Sequence, residues 1–133
     1  MPQSMGTILV VDDETPTRKA IARMARSLGY EVIEAADGSE AIHQYGEHAA
    51  EIVAATLDLT MPTTNGRETL AMLSAIAPFL PIVVSSGLDP GSEHLRGRVP
   101  GTPGVVYLQK PYDAAALGKA LTRVIGETGG NGG

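Results

Sequence analysis

The sequence predicts an α/β fold in which a five-stranded parallel sheet, with strand order 2-1-3-4-5, is covered by helices on both faces. Two observations predict this fold. Short apolar stretches rich in β-branched residues recur five times along the 133 residues, and patterns of helical period alternate with them. The first stretch is apolar without alternation, which is typical of a strand buried on both faces. Right-handed crossovers leave few other topologies for such units.

The first unit is a strand predicted over residues 7–11, followed by a helix. Thr15 is predicted to be the N-cap of this helix, with Pro16 in its first turn. Gly29 is expected to end it. Between them, apolar residues recur on one helical face, at Ile21, Met24, Ala25 and Leu28.

The second unit is a strand predicted over 31–35 and a helix that reaches about His48. Asp37 is spaced as the N-cap of this helix, and Glu40 as the reciprocal partner of that cap. In the third unit, a strand over 52–57 precedes a helix with three apolar residues on one face, namely Leu70, Leu73 and Ile76.

The last two strands are predicted over 82–85 and 105–108. Glycine and proline are so frequent in 88–104 that only about 92–98 can form the helix between them. The last helix is expected to start near Asp113, with four apolar residues aligned, namely Leu117, Ala120, Leu121 and Val124. Residues 6–126 therefore form the predicted domain, after a disordered N-terminus at 1–5 and before a flexible glycine-rich tail at 127–133.

The composition is that of an ordinary globular protein, with 43% hydrophobic and 19% charged residues. A net charge of −5 disfavours binding to nucleic acid through phosphate neutralisation. No apolar run approaches the roughly 20 residues of a membrane helix, and the first residues show no secretory pattern. The chain has no Cys, which excludes disulfides and fits a reducing compartment. We therefore expect a cytoplasmic protein without a nucleic-acid or membrane partner.

Acidic residues end two strands that are neighbours in the predicted order: Asp12 and Asp13 follow the first strand, and Asp58 the third. The flavodoxin-like, doubly wound (βα)5 arrangement places ligand chemistry at this edge of the sheet. Asp12 and Asp13 alone could merely cap the next helix. Three converging carboxylates repel one another, however, and are kept mainly where a cation neutralises them. An oxygen-only, partly open site predicts Mg²⁺.

Four motifs then occur in order at strand ends. The run LDLTMP at 57–62, followed by Gly66, resembles the phosphoacceptor loop of response-regulator receiver domains in two-component signalling. VVDDE at 10–14 resembles the acidic pair of that family, SSG at 85–87 its hydroxyl motif, and QKPY at 109–112 its Lys-Pro-aromatic motif. Four motifs in the right order are far more specific than any one of them.

The resemblance implies that Asp58 is the nucleophile that accepts a phosphoryl group from phosphohistidine. Asp13, Asp58 and the backbone carbonyl of Thr60 would bind Mg²⁺ directly, and Asp12 would act largely through water. Lys110 would neutralise charge on the transferring phosphoryl oxygens.

Two further residues are implied to change position on phosphorylation. Ser86 would donate its hydroxyl to the phosphoryl group, although Ser85 could do so if the strand register slipped by one residue. Tyr107, three positions before Lys110, resembles the switch aromatic, for which a merely half-buried edge-strand residue is the alternative.

The implied partner is a histidine kinase or a histidine phosphotransfer protein, and the chain itself is expected to be a monomer and not an enzyme with turnover. The motifs look most like the C-terminal receivers of hybrid sensor histidine kinases. A free-standing regulator is the alternative, and the sequence leaves both open, as it does the kinase and the signal.

Three other functions compete with this interpretation. A dehalogenase-type phosphatase needs a second Asp two residues after the nucleophile, where this chain has Thr60. A flavodoxin-like electron carrier would have to hold a flavin phosphate beside Asp12, Asp13 and Glu14, which repel it. A docking module without chemistry leaves the complete set of site residues unexplained.

Overall fold

A computed structural model describes the chain at residues 5–59, 66–86 and 104–129. Its strands are Thr7–Val11 (β1), Glu31–Ala35 (β2), Ile52–Asp58 (β3), Ile82–Ser86 (β4) and Val105–Gln109 (β5). Its helices are Thr15–Ser27 (α1), Gly38–His48 (α2), Gly66–Ile76 (α3) and Ala114–Gly129 (α4). None of these described helices is both long enough and apolar enough to cross a membrane.

All five strands are parallel and form one sheet in the order β2-β1-β3-β4-β5. This is the predicted order, and the predicted fold class is confirmed. The order makes β1 and β3 neighbours, so their carboxyl ends lie side by side at one edge of the sheet.

Each face of the sheet is covered by a separate apolar cluster. Leu9 and Val11 of β1 pack with residues of β3, β4 and α3, including Leu57, Val84, Leu70 and Leu73. Ile8 and Val10 belong to the opposite face, with Val83 of β4 and with Leu117, Leu121 and Val124 of α4. Successive side chains of a strand point to opposite faces, so β1 is buried on both sides, as its unalternating apolar sequence predicts.

The first residues of α1 and α2 form different capping contacts from the predicted ones. The N-cap of α1 is Glu14, in extended conformation and without a side-chain cap bond, so the prediction of Thr15 as N-cap was wrong. The reason is local: the Glu14 N–H donates to the Asp12 carboxylate at 2.9 Å, which turns the chain one residue earlier. Asp37 caps α2 as predicted, but Glu40 accepts from the N–H of Ala36 instead of that of Asp37.

Further differences lie at element ends. Ile76 is 51% exposed because α3 ends there and the chain buries Ala77 and Leu80 instead. Helix α4 continues to Gly129, past the boundary predicted at 126, so glycine at position 126 does not end it. Met5, within the segment predicted to be disordered, donates its N–H to the carbonyl of Gly29. The predicted helix at 92–98 lies outside the described residues.

Candidate functional site

Three carboxylates meet at the carboxyl edge of the sheet, as predicted. Asp12 and Asp13 directly follow β1, and Asp58 is the last residue of β3. Each offers an oxygen within 4.8 Å of the others. Asp12 is fully buried and Asp58 is 4% exposed, so both carboxylates have lost most of their hydration. Such a group needs compensating positive charge.

Lys110 supplies part of that charge from the end of β5. Its ammonium lies 2.8 Å from Asp12 Oδ2 and 3.1 Å from Asp58 Oδ2. Burial lowers the pKa of Lys110, but the hydrogen bond to Asp12 and the charge of Asp58 outweigh this, so the net shift is upward. Lys110 is therefore held protonated between the two buried carboxylates. The peptide bond from Lys110 to Pro111 is cis.

Asp13 differs from the other two carboxylates because no Lys or Arg of the described residues forms an ion pair with it. Its pKa is raised above the ordinary value of 3.8 by partial burial first and by the charges of Asp12 and Asp58 second. Among the described residues, the Lys110 ammonium thus contacts two of the three carboxylates and leaves the third, Asp13, without an ion pair. Oxygen donors with an excess of negative charge and one partly open side fit Mg²⁺, which keeps several waters when it binds.

The backbone of the acidic loop is fixed on several sides. The Asp12 N–H donates to the carbonyl of Ala35 at 3.1 Å, which extends the pairing of β1 with β2. The Asp12 carbonyl accepts from Arg18 Nη1 at 3.0 Å. With the Glu14 contact to Oδ1, every polar group of Asp12 has a partner, so this residue is held rigidly.

Gly66 brings the start of α3 against the Asp58 segment. A Cβ at this position would lie 2.6 Å from the carbonyl oxygen of Asp58, closer than real Cβ contacts come. Only glycine allows this approach. The close approach of α3 to Asp58 therefore explains on steric grounds why glycine follows the LDLTMP motif at position 66.

The other predicted site residues are only partly within the described structure. Ser85 is buried, lies opposite Asp58 in register, and accepts a hydrogen bond from the Leu59 N–H at 2.8 Å through its carbonyl. Ser86 lies opposite Gln109 in register, but its side chain is outside the described part of the chain, as is Thr60. Tyr107 is half-buried, lies opposite Val84 and packs on the α3 side of the sheet.

Tyr112 is a residue whose environment the sequence did not reveal. With Lys110 and Pro111 it lines a cavity of about 500 Å³, closed on the other side by five residues of α1, namely Pro16, Thr17, Ala20, Ile21 and Met24. Burial raises the pKa of its phenol, and the charge of Asp12 adds to the rise. Its buried hydroxyl has no hydrogen-bond partner among the described residues. The Ser85 side chain lies close enough to lower the pKa of Tyr112 slightly, but the two hydroxyls do not have the geometry of a hydrogen bond.

We expect Tyr112→Phe to raise the free energy of unfolding by about 1 kcal/mol, because it removes a buried hydroxyl that has lost its hydration without gaining a partner. Urea unfolding of the variant and the parent measures the difference. Tyr45→Phe is the control, since the hydroxyl of this half-buried residue is not among the buried unpartnered groups. A destabilised Tyr112→Phe variant would show that the phenol has a partner in solution.

Comparison with known sequences finds one family. The chain matches the response regulator receiver domain over residues 8–122. The chemotaxis protein CheY of Thermotoga maritima is 30% identical over 118 residues, which cover 88% of this chain and 95% of that protein. The response regulator MprA of a Mycobacterium species is 35% identical over 117 residues, which cover 88% of this chain but 48% of MprA. The chain therefore spans about half the length of MprA.

Solved structures give the same result. A complex of CheX and CheY with BeF₃ and Mg²⁺ from Borrelia burgdorferi matches with a TM-score of 0.79 and 30% identity, covering 90% of this chain and 88% of that one. The receiver domain of the hybrid histidine kinase CckA matches with a TM-score of 0.73 and 32% identity, covering 90% of this chain and 99% of that one.

Proposed function

The chain belongs to the response regulator receiver domain family, and we propose that it accepts a phosphoryl group on Asp58 from a phosphohistidine within a two-component phosphorelay. The observation that carries this proposal is the position of Asp58. Its carboxylate is buried at the sheet edge, in contact with the Lys110 ammonium and beside the carboxylates of Asp12 and Asp13. A nucleophile, a cation and a group of oxygen donors are thus assembled at one point.

The transfer follows from this arrangement. A carboxylate oxygen of Asp58 attacks phosphorus, and a new P–O bond forms as the P–N bond to the donor imidazole breaks. The imidazole leaves with the electron pair of that bond and takes up a proton. Lys110 already contacts Asp58 Oδ2, so its charge needs little rearrangement to face the phosphoryl oxygens.

Asp13 and Asp58, with the carbonyl of Thr60, are proposed to hold Mg²⁺ directly, and Asp12 to act largely through water. The contacts of the described residues support this division, because Lys110 engages one oxygen of Asp12 and the Glu14 N–H the other, whereas Asp13 has no ion pair. Mg²⁺ held by these residues would supply positive charge to the phosphoryl oxygens.

We assign the hydroxyl role to Ser86. In the register of β4 and β5, position 86 comes two residues after Val84, the residue opposite Tyr107, whereas position 85 comes one residue after it, and successive positions of a strand alternate between the two faces. Ser85 belongs to the opposite face, near Tyr112. A switch that couples the hydroxyl residue to Tyr107 requires that they share a face, which favours Ser86 over Ser85.

The proposed partner is a histidine kinase or a histidine phosphotransfer protein. The chain itself is proposed to be a cytoplasmic monomer that does not turn over a substrate. The net charge of −5 gives no basis for a nucleic-acid partner. The expected special likeness to hybrid-kinase receivers is not supported, because the curated relatives described above are a chemotaxis protein CheY and a response regulator MprA.

Phosphoramidate tests the proposal, because its P–N bond mimics phosphohistidine. Incubation with phosphoramidate and Mg²⁺ is expected to add one phosphoryl group to the chain, detected by intact-protein mass spectrometry and lost in mild base, as an acyl phosphate should be. Excess EDTA should prevent the modification. No incorporation with Mg²⁺, or equal incorporation with EDTA, would contradict the proposal.

A further inference from the structure

Arg18 on α1 contacts the acidic loop but is not one of the residues assigned above. Its Nη1 donates to the backbone carbonyl of Asp12 at 3.0 Å, and its Nε donates to Glu34 Oε1 of β2 at 2.9 Å. We propose that Arg18 is a positioning residue, which sets the direction in which Asp13 leaves β1 and thereby the affinity of the site for Mg²⁺. This inference rests on the proposed function.

The carbonyl that Arg18 binds belongs to the peptide unit between Asp12 and Asp13. A peptide unit is planar, so fixing its carbonyl oxygen also fixes the direction of the Asp13 nitrogen and Cα. The rest of Asp12 is held by Ala35, Glu14 and Lys110. The bond from Arg18 restrains the remaining rotation, that of the Asp12 carbonyl about its Cα.

Arg18 can perform this role because it is itself immobile. Its side chain is 13% exposed and bridges α1 to Glu34. Burial raises the pKa of Glu34, but hydrogen bonds from Arg18 and Lys19 outweigh this and lower it, so Glu34 is ionised. A guanidinium presents several N–H groups in a rigid plane and reaches two acceptors at once, which a single ammonium at the end of a flexible chain does not.

Asp13 depends on this restraint more than its neighbours do. Asp12 and Asp58 are held by Lys110, whereas no ion pair within the described ranges holds the Asp13 carboxylate. Mg²⁺ requires nearly ideal octahedral geometry. If the Asp12–Asp13 peptide unit can rotate, the position of the Asp13 carboxylate varies and Mg²⁺ binds less tightly, even though no ligand has been removed.

Arg18→Met tests the inference, since methionine keeps an apolar stem and removes the guanidinium. The matched control is Lys19→Met, which removes an ion pair to the same Glu34 at 3.1 Å but leaves the Asp12 carbonyl contact intact. Calorimetric titration with Mg²⁺ is expected to show about 10-fold weaker binding for Arg18→Met, in the range found when residues that orient ligands are lost. Lys19→Met should match the parent.

Two further readouts separate positioning from general destabilisation. Without Mg²⁺, the Glu14 amide should exchange hydrogen faster in Arg18→Met than in Lys19→Met, because its acceptor lies in the loosened loop. With phosphoramidate, Arg18→Met should need about 10-fold more Mg²⁺ for half-maximal phosphorylation and regain most of the parent rate at saturation. A rate that stays low at saturating Mg²⁺ would contradict a positioning role.

Arg18→Lys separates geometry from charge. It keeps the positive charge but is not expected to reach both acceptors, so its Mg²⁺ affinity should resemble that of Arg18→Met. Affinity equal to the parent would show that charge suffices and overturn the inference.

If Arg18→Met does not fold, Glu34→Gln, which loosens Arg18 without removing it, should weaken Mg²⁺ binding in the same direction. Failure of the parent to bind Mg²⁺ would contradict the proposed function, whereas equal affinities of parent and variants contradict only the role of Arg18.

Discussion

Replacement of Asp58 by Asn is expected to abolish phosphorylation by phosphoramidate while leaving the fold intact. The amide has nearly the same shape as the carboxylate, but its oxygen is a far weaker nucleophile and forms no stable acyl phosphate. Lys110 keeps its contact with Asp12 in the variant. The pKa of Asp13 is raised by partial burial and then by repulsion from Asp12 and Asp58, and removing the Asp58 charge relieves part of that repulsion, so we expect no loss of stability.

Intact-protein mass spectrometry after incubation with Mg²⁺ and phosphoramidate measures the effect of Asp58→Asn. Asp37→Asn is the matched control, because Asp37 is the N-cap of α2 and Asn is an equally good N-cap. This control should be phosphorylated at the parent rate. A phosphoryl group that persists on the Asp58→Asn variant would mean that another residue is the nucleophile.

Lys110→Met is expected to have the largest effect on stability. Lys110 is 17% exposed and is shared by two buried carboxylates, so its removal takes away the ammonium that both of them contact. Loss of one partner of a buried ion pair costs about 3 kcal/mol of unfolding free energy at neutral pH. The variant should still fold, but its phosphorylation should be much slower because the transferring group loses a stabilising cation.

The stability loss in Lys110→Met should depend on pH and on Mg²⁺ in predictable directions. Without the ammonium, protonation of the clustered carboxylates stabilises the folded form more than it stabilises the unfolded chain. The first of them to be protonated is expected to be Asp13, whose pKa is already raised. The deficit is therefore greatest above the range in which carboxylates titrate and shrinks as the pH falls into it. Because Mg²⁺ is proposed to bind the folded cluster and not the unfolded chain, its addition should restore part of the lost stability.

Urea unfolding at neutral and acidic pH, with and without Mg²⁺, measures these changes. Lys119→Met makes the same substitution at an exposed position of α4 and should alter stability little at any pH. If the two variants lose the same stability, or if the Lys110→Met deficit ignores both pH and Mg²⁺, the ion pairs seen in the structure do not stabilise the fold.

The sheet could be predicted from the sequence because a strand that is buried on both faces has a continuous apolar sequence. The apolar runs mark β1 and β3, and parallel topology then places Asp12 and Asp58 at neighbouring strand ends. Helix patterns were less informative at their ends: Ile76 has the correct spacing for a buried residue, but α3 ends there and the chain turns to bury Leu80 instead.

The contacts around the site could not be predicted in the same way. Arg18 lies on a helix where a charged residue is usually solvated, and nothing in the local sequence places it against a carbonyl six residues earlier and a carboxylate on β2. Its partners are decided by how α1 packs on the sheet. The same holds for Lys110, which the motif predicts to face the phosphoryl group but which bridges Asp12 and Asp58 here.

The two-sided burial of β1 has a consequence for how the domain unfolds. Ile8 and Val10 complete one apolar cluster and Leu9 and Val11 the other, so the same five-residue strand belongs to both. Neither layer of helices can detach together with β1 without exposing the apolar surface of the other. The two halves of the interior are thereby coupled through one backbone segment, which favours a single cooperative transition over stepwise loss of one face.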